Sequence, residues 1–348
     1  MGYSFFAGPF LFSFFIAAAI GAVLILFGKK NIFSSDRTSD RHIHRQGISR
    51  FGGAALILAF VVTIFLDKRL VMTLPLAGVL TASGAILVFG IIDDIKQLSW
   101  KTQLFFQVAI VSFVYFLGVR LDYLSNPFGG IFALDSSIGY LVGFVIAIVW
   151  VVLLINSMNW VDGVDGISAG IAFISGVTIF LLSLRPEVNQ PPIGIIVAAF
   201  LGGLAAFFLL NFNPAKILAG TSGSMFMGFI LAVLAIFSGA KIATTLLVLT
   251  IPVIDALWVI GERLKAKKSI FSADSRHLHH KLLKLGWSQK KICILYCAIT
   301  TLIAFISLNT KDFSKAVVFF LLCVFMLGIL FAVSKKADKL EKIQTNAE

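Results

Sequence analysis

Three polar clusters interrupt an otherwise apolar chain, and each is built from side chains that handle phosphate or a divalent cation. Asp93-Asp94 stand together in Gly90-Ile-Ile-Asp-Asp-Ile-Lys-Gln-Leu-Ser-Trp100. Two adjacent carboxylates concentrate negative charge, which favours a divalent metal or an Arg or Lys partner; the plain alternative is a helix that ends in water. The second cluster is Asn156-Ser-Met-Asn-Trp-Val-Asp-Gly-Val-Asp-Gly166. Asn156 and Asn159 are three residues apart, as are Asp162 and Asp165, so each pair shares a face wherever the stretch is helical. No Lys or Arg within it offsets the carboxylates. Gly163 and Gly166 let backbone approach a ligand closely or take positive φ. The spacing lacks the alternating ligands and terminal Glu of a calcium loop.

The third cluster, Asp274-Ser-Arg-His-Leu-His-His280, follows a basic run of Arg263, Lys265, Lys267 and Lys268. Arg276 with His277, His279 and His280 could bind a pyrophosphate, donate protons near neutral pH or ligate a transition metal. No second His-rich or Cys-bearing motif completes a zinc site, and the surrounding positive charge suits pyrophosphate better. A solvated amphipathic segment is the bland alternative. Asp255, in Ile251-Pro-Val-Ile-Asp-Ala-Leu257, is an acid inside an apolar stretch, read as supporting a cleft or pairing with Arg263.

The elements that must position these groups are membrane helices. Of 348 residues, 59% are hydrophobic and 13% charged, with 35 Phe, far from soluble composition. About eleven stretches are long enough to cross some 30 Å of hydrocarbon as helix. They fall near 8–28, 51–67, 72–92, 103–119, 138–155, 165–184, 193–210, 223–239, 242–260, 291–308 and 314–333. The reading is an all-α, polytopic, single membrane domain, N-terminus outside and C-terminus cytosolic. Its inside segments are 29–50, 93–102, 156–164, 211–222 and 261–290, with a basic tail at 334–348. These hold most of the 29 Lys and Arg, as retention of basic loops in the cytosol requires. The net charge of +12 therefore implies headgroups or a phosphorylated substrate, and no nucleic acid. The first span, followed by Lys29-Lys30, is read as a retained helix, not a signal peptide. Cys293, Cys297 and Cys323 are expected to pack. Loop 120–137, with Asn126-Pro127 and Gly129-Gly130, is expected to be a turn-rich connection.

In order and spacing the motifs resemble the polyprenyl-phosphate N-acetylhexosamine-1-phosphate transferases, the MraY/WecA/TagO-like proteins of glycosyltransferase family 4. The residues that carry the likeness are Asp93-Asp94, Asn156-x-x-Asn159-x-x-Asp162-Gly-x-Asp165-Gly, Asn213-Pro214-Ala-Lys216 with Gly220-x-x-Gly223-Ser224, and His277-x-His279-His280. His44 and Gly52-Gly53 match the first cytosolic loop. The resemblance implies transfer of a sugar 1-phosphate, GlcNAc-1-phosphate foremost, from a UDP-sugar to undecaprenyl or another polyprenyl phosphate, releasing UMP. It implies a plasma-membrane enzyme with Mg²⁺ or Mn²⁺ and a cytosolic site, and leaves a homodimer open. Implied catalytic residues are Asp93, Asp94, Asp162 and His279, with Asn159 and Asp94 on the metal. Implied substrate contacts are His44, Lys101, Asn156, Gly163, Asp165, Arg276, His277 and His280; Gly163 and Asp165 would face uridine, and Arg276 and His277 the diphosphate.

The chain also departs from the resembled pattern. A metal-binding Asp is expected where Thr221 stands, and a hydroxyl is a poorer ligand for a hard cation than a carboxylate. A Lys is expected at Gln103; Lys101 lies nearby but points about 200° away around a helix. A Pro is expected at Ser49. These departures raise a second reading, a non-catalytic homologue that binds lipid phosphate or UDP-sugar. A transporter fits least, because the polar groups gather at one face and not at the midplane.

Overall fold

The computed structural model describes residues 4–28, 48–126, 128–186, 188–239, 242–267, 276–310 and 312–345. Thirteen helices and one short hairpin make up the described chain. In order they are α1 (Ser4–Gly28), α2 (Gly52–Leu66), α3 (Leu74–Lys96), α4 (Trp100–Phe116), β1 (Tyr123–Ser125), β2 (Ile131–Ala133), α5 (Ser137–Val161), α6 (Ile167–Ser183) and α7 (Pro191–Asn211). There follow α8 (Gly220–Phe237), α9 (Ile242–Val248), α10 (Thr250–Lys265), α11 (Leu278–Lys284), α12 (Gln289–Asn309) and α13 (Asp312–Thr345). Hydroxyl caps start several of them. Ser99, Ser136 and Ser288 accept from the backbone N–H of Thr102, Gly139 and Lys291, as N-terminal amides without intrahelical partners require.

Each apolar stretch read from the sequence is helical. Among the described residues seven helices are long and apolar enough to cross a membrane, eight if α9 and α10 form one span. This is an all-α membrane protein, with a lower count by length and composition than eleven; α2 and α6 are apolar but only 15 and 17 residues long. The stretch at 242–260 is broken, with α9 and α10 inclined by 77°. Pro252 has no N–H to offer the Val248 carbonyl, so the helix cannot run straight through. Thr250 Oγ1 donates to the Leu247 carbonyl at 2.6 Å, satisfying one acceptor at the break. Loop 120–137 is more ordered than a plain connection. β1 and β2 pair antiparallel with Leu124 opposite Phe132, and Tyr123 Oη donates to the Gly239 carbonyl at 2.9 Å. The basic residues after 334 continue α13 as helix.

α8 is the axis of the molecule. Every residue from Ser222 to Ile236 is buried, and α2, α3, α5, α6, α7 and α9 pack around it. A helix apolar on all sides belongs inside a bundle. Where lipid surrounds the bundle there is little hydrophobic drive between helices, so close backbone approach carries the packing. At Gly228 a Cβ would stand 2.5 Å from the Leu154 carbonyl oxygen, which sets how near α5 and α8 lie. The Trp150 indole N–H crosses the same interface to the Ala232 carbonyl at 3.2 Å.

Gly228→Val should therefore destabilise the protein by roughly 1–3 kcal/mol, the usual cost of forcing atoms into a packed core. Gly84→Val, at a position with nothing within 4 Å of a Cβ, is the control. Melting in detergent checks the pair: a clear drop for the first and little change for the second.

Candidate active site

The polar groups meet at one end of the bundle, around the first turn of α8. The chain enters α8 at Gly220 with φ +65°, where a Cβ would collide with the Arg50 carbonyl oxygen at 2.2 Å and Asp94 Oδ2 at 2.4 Å. Strand-like hydrogen bonds strap the stretch before it to the segment ahead of α2. Leu218 N–H donates to Ser49 O at 2.9 Å, and Gly52 N–H and Gly53 N–H donate to Leu218 O and Ala219 O, each at 3.0 Å. Opposite, α3 crosses α8 at Gly90, where a Cβ would lie 2.3 Å from Ser222 Cα. That crossing brings the Asp pair, one turn further along α3, onto the start of α8.

Asp93 and Asp94 then take different jobs. Asp94 Oδ2 accepts the Thr221 backbone N–H at 2.9 Å, one of the amides that a helix start leaves without an internal partner, and its charge lies favourably at the positive end of α8. Asp93 Oδ2 accepts from the Thr221 hydroxyl at 2.7 Å, while Oδ1 accepts from Leu98 N–H at 3.0 Å and Gln103 Nε2 at 2.9 Å. Asp94 lines a cavity of about 130 Å³; Asp93 does not.

Asn159, Asp162, Asp165, Thr221 and Arg50 also line that cavity. Asp162 follows α5 directly and its carboxylate accepts from the Ser168 hydroxyl. Burial pushes its carboxyl up to about 7, with Asp94 and Asp165 adding to the rise and Ser168 and Arg50 opposing it. Asp165 Oδ2 accepts from Asn213 Nδ2 at 2.8 Å and Ala215 N–H at 3.0 Å. The Asn213-Pro214-Ala215 stretch thus serves to hold Asp165. Asn211, on the cavity wall, accepts Gly166 N–H at 3.0 Å and donates to the Ile217 carbonyl at 2.9 Å.

The histidines pack beside the cavity, against Gly163, and are not among the residues that line it. Asp255 Oδ2 lies 2.9 Å from His277 Nδ1, and its Oδ1 accepts Leu278 N–H at 2.8 Å. Where the carboxylate is the acceptor, Nδ1 carries the proton toward it and Nε2 points away from Asp255. Asp255 therefore pairs with His277, and the expected pairing with Arg263 gives way: the Arg263 guanidinium lies over the Trp160 ring at 5.4 Å. Trp160 faces His277 at 5.9 Å, His277 stacks on His279 at 5.8 Å, and His279 meets His280 at 4.2 Å. His279 is fully buried with neither ring nitrogen hydrogen-bonded. Burial, reinforced by His280 and His277, holds its pKa well below the usual imidazole range. Gly163 is the seat of this ring, since a Cβ there would lie 2.4 Å from His279 Nε2. α11 is itself anchored by Lys281, whose Nζ donates to Glu262 Oε1 at 3.0 Å and Ser334 Oγ at 2.7 Å.

Some sequence candidates stand elsewhere. Asn156 faces α4, donating to Gln107 Oε1 at 2.7 Å, and does not line the cavity. Lys101 is exposed with its ammonium 5.8 Å from the Trp100 ring. Arg276 is half-buried just before His277. His44, Asp274 and Lys268 lie outside the described residues. Sequence reasoning missed Arg50, Gln107, Ser168 and Asn211; only Asn211 carried a signal, two residues before the Asn213-Pro214 motif.

The donor set suits a hard divalent cation. Asp94, Asn159, Asp162 and Asp165 line one cavity, and Mg²⁺ is held by one or two carboxylates plus water and substrate phosphate. Among the described residues no three His, Cys, Asp or Glu side chains are already gathered as a cage.

Residues 76–239 match the model of glycosyl transferase family 4. The chain is 30% identical over 319 residues to a decaprenyl-phosphate N-acetylglucosaminephosphotransferase of Mycobacterium tuberculosis, covering 82% of this chain and 78% of the relative. It is 27% identical over 321 residues to a probable undecaprenyl-phosphate N-acetylglucosaminyl 1-phosphate transferase of Bacillus subtilis, with 89% and 84% covered. A phospho-N-acetylmuramoyl-pentapeptide-transferase of Borreliella afzelii aligns over 334 residues at 26% identity, with 86% and 93% covered. Relatives aligned across most of the chain thus confirm the lineage that the ordered motifs suggested, and the protein belongs to glycosyl transferase family 4.

Proposed function

We propose that this protein transfers N-acetylhexosamine 1-phosphate, with GlcNAc-1-phosphate as the first candidate, from a UDP-sugar to a polyprenyl phosphate and releases UMP. The observation that carries the proposal is the cavity where Asp94, Asn159, Asp162 and Asp165 converge beside the positive end of α8. The relatives named for polyprenyl-phosphate substrates support the lipid acceptor. The site faces the cytosol of the plasma membrane in this reading, eleven helices cross, and the basic inside segments support that orientation.

A polyprenyl phosphate is a monoester with a second pKa of about 6, so it is largely dianionic at neutral pH and needs little help from a base. The work lies in bringing it to a second phosphorus and offsetting charge on the leaving UMP. Asp94 and Asn159 would hold the Mg²⁺ or Mn²⁺, and Asp162 and Asp165 would shape its surroundings. The cation would supply Lewis-acid neutralisation of the diphosphate oxygens. His277, with Nδ1–H held by Asp255, would donate Nε2–H to the diphosphate in its imidazolium form, and Arg276 beside it adds positive charge.

The neutral Thr221 hydroxyl favours a second reading, in which the chain binds UDP-sugar or lipid phosphate without turnover. UMP release by detergent-purified protein, given undecaprenyl phosphate, UDP-GlcNAc and Mg²⁺, separates the two. Lipid- and metal-dependent release is expected. Protein that binds UDP-GlcNAc yet releases no UMP with any UDP-sugar would establish the second reading.

Within the active enzyme, Asp94→Asn should lower kcat at least about a hundredfold, the scale of losing a charged group aimed at the reacting centre. Unchanged turnover would remove Asp94 from the chemistry. Asp255→Ala should lower kcat about tenfold or more, as loss of an outer carboxylate partner does for other functional histidines. A melting curve close to wild type would separate that loss from unfolding, and Asp255→Asn should recover part of it.

A further inference from the structure

Gln103 and Thr221 stand at the start of two different helices, yet both end on one carboxylate. Gln103 Nε2 donates to Asp93 Oδ1 at 2.9 Å and the Thr221 hydroxyl donates to Asp93 Oδ2 at 2.7 Å. The Thr221 oxygen also lies 3.2 Å from Asp94 Oδ1, but a hydroxyl has one proton, and the shorter contact to Asp93 takes it. These are the two positions at which a charged residue was expected from the resembled pattern, an acid at 221 and a base at 103. Both are neutral here, and the two departures cancel in charge.

We propose that Gln103, Asp93 and Thr221 form one positioning unit, a neutral clamp that holds the Asp93 carboxylate away from the cavity and leaves Asp94 to face it. Asp93 is 5% exposed and Asp94 4%, so burial alone does not distinguish them; their partners do. Asp93 is engaged by the clamp and by Leu98 N–H, whereas Asp94 borders the cavity and caps α8 through Thr221 N–H. One residue therefore serves both acids, its amide on Asp94 and its hydroxyl on Asp93. An acid at 221 would set a third carboxylate against the other two, and only a cation at 103 or in the cavity would offset it. The two side chains meet on one carboxylate, so a change at one is expected to be felt at the other. Gln103 is not a catalytic residue in this account; it acts through Asp93 on the rotation of the α3 end and hence on Asp94.

The inference rests on the transferase reading, and a double-mutant cycle tests it with readouts that do and do not need turnover. Thr221→Asp, Gln103→Lys and the double variant are compared for melting temperature in detergent with EDTA, and for kcat and KM with UDP-GlcNAc. Thr221→Asp alone is expected to lower both kcat and the melting temperature. Adding Gln103→Lys is expected to restore the melting temperature and to raise kcat about tenfold above the product of the single effects, the size of coupling usual for residues in one network. Thr221→Val, which loses only the hydroxyl, should lower kcat with KM nearly constant, and Thr221→Ser should recover most of that loss. Multiplicative effects in the cycle, or a Thr221→Val with wild-type kcat, would overturn the clamp. If the unaltered protein releases no UMP with any UDP-sugar, the transferase reading falls, while the metal-free melting cycle still decides whether the three side chains act together.

Discussion

The structure depends on how a buried helix starts. α8 is apolar and enclosed along almost its whole length, so its first turn is the place where polar backbone groups without internal partners must be satisfied near the membrane boundary. Thr221 does this with Asp94, and the close crossing of α3 at Gly90 makes the contact possible. From that junction the remaining walls follow. The 217–219 stretch ties the segment before α2 to the same turn, and Asn211 and Asn213 fix the start of α6 and the Asp165 side chain. A requirement of backbone hydrogen bonding thus gathers the acids, and the gathered acids make the cavity.

The histidine side is built on different physics. α11 is only seven residues long and could not hold itself in place. It is fixed by a carboxylate at one end and an ion pair at the other, with Asp255 on His277 and Glu262 on Lys281, both from α10. The 77° break before α10 separates this platform from α9. Between the platform and the acids lies Gly163, whose missing side chain is the space that His279 fills.

Much of this was legible in the sequence because its chemistry is local. The Asp pair, the Asn and Asp residues between α5 and α6, and the three histidines announced themselves as polar groups that hydrocarbon would not tolerate without purpose. The helices were legible because a membrane leaves the backbone almost no other choice. What stayed hidden were choices of partner across the bundle. Spacing on one helix puts Asn156 with Asn159, but α4 offers Gln107 and Asn156 turns to it. Asp255 looked suited to Arg263 on another turn of α10, whereas His277, just before α11, takes it. The hairpin at 123–133 was concealed by its glycines and asparagine, which signal turns without saying that strands flank them.

The anchoring of Lys281 to Ser334 has a consequence for the order in which the molecule comes into being. Ser334 belongs to α13, which leaves the ribosome after every other helix of the site. The residues that line the acid cavity are all made before α10, although Asp165 N–H is held by Gln289 of α12, and the histidine platform has no complete seat until α13 is inserted beside it. The residues that line the cavity thus precede, in synthesis, the residue that completes the seat of the histidines.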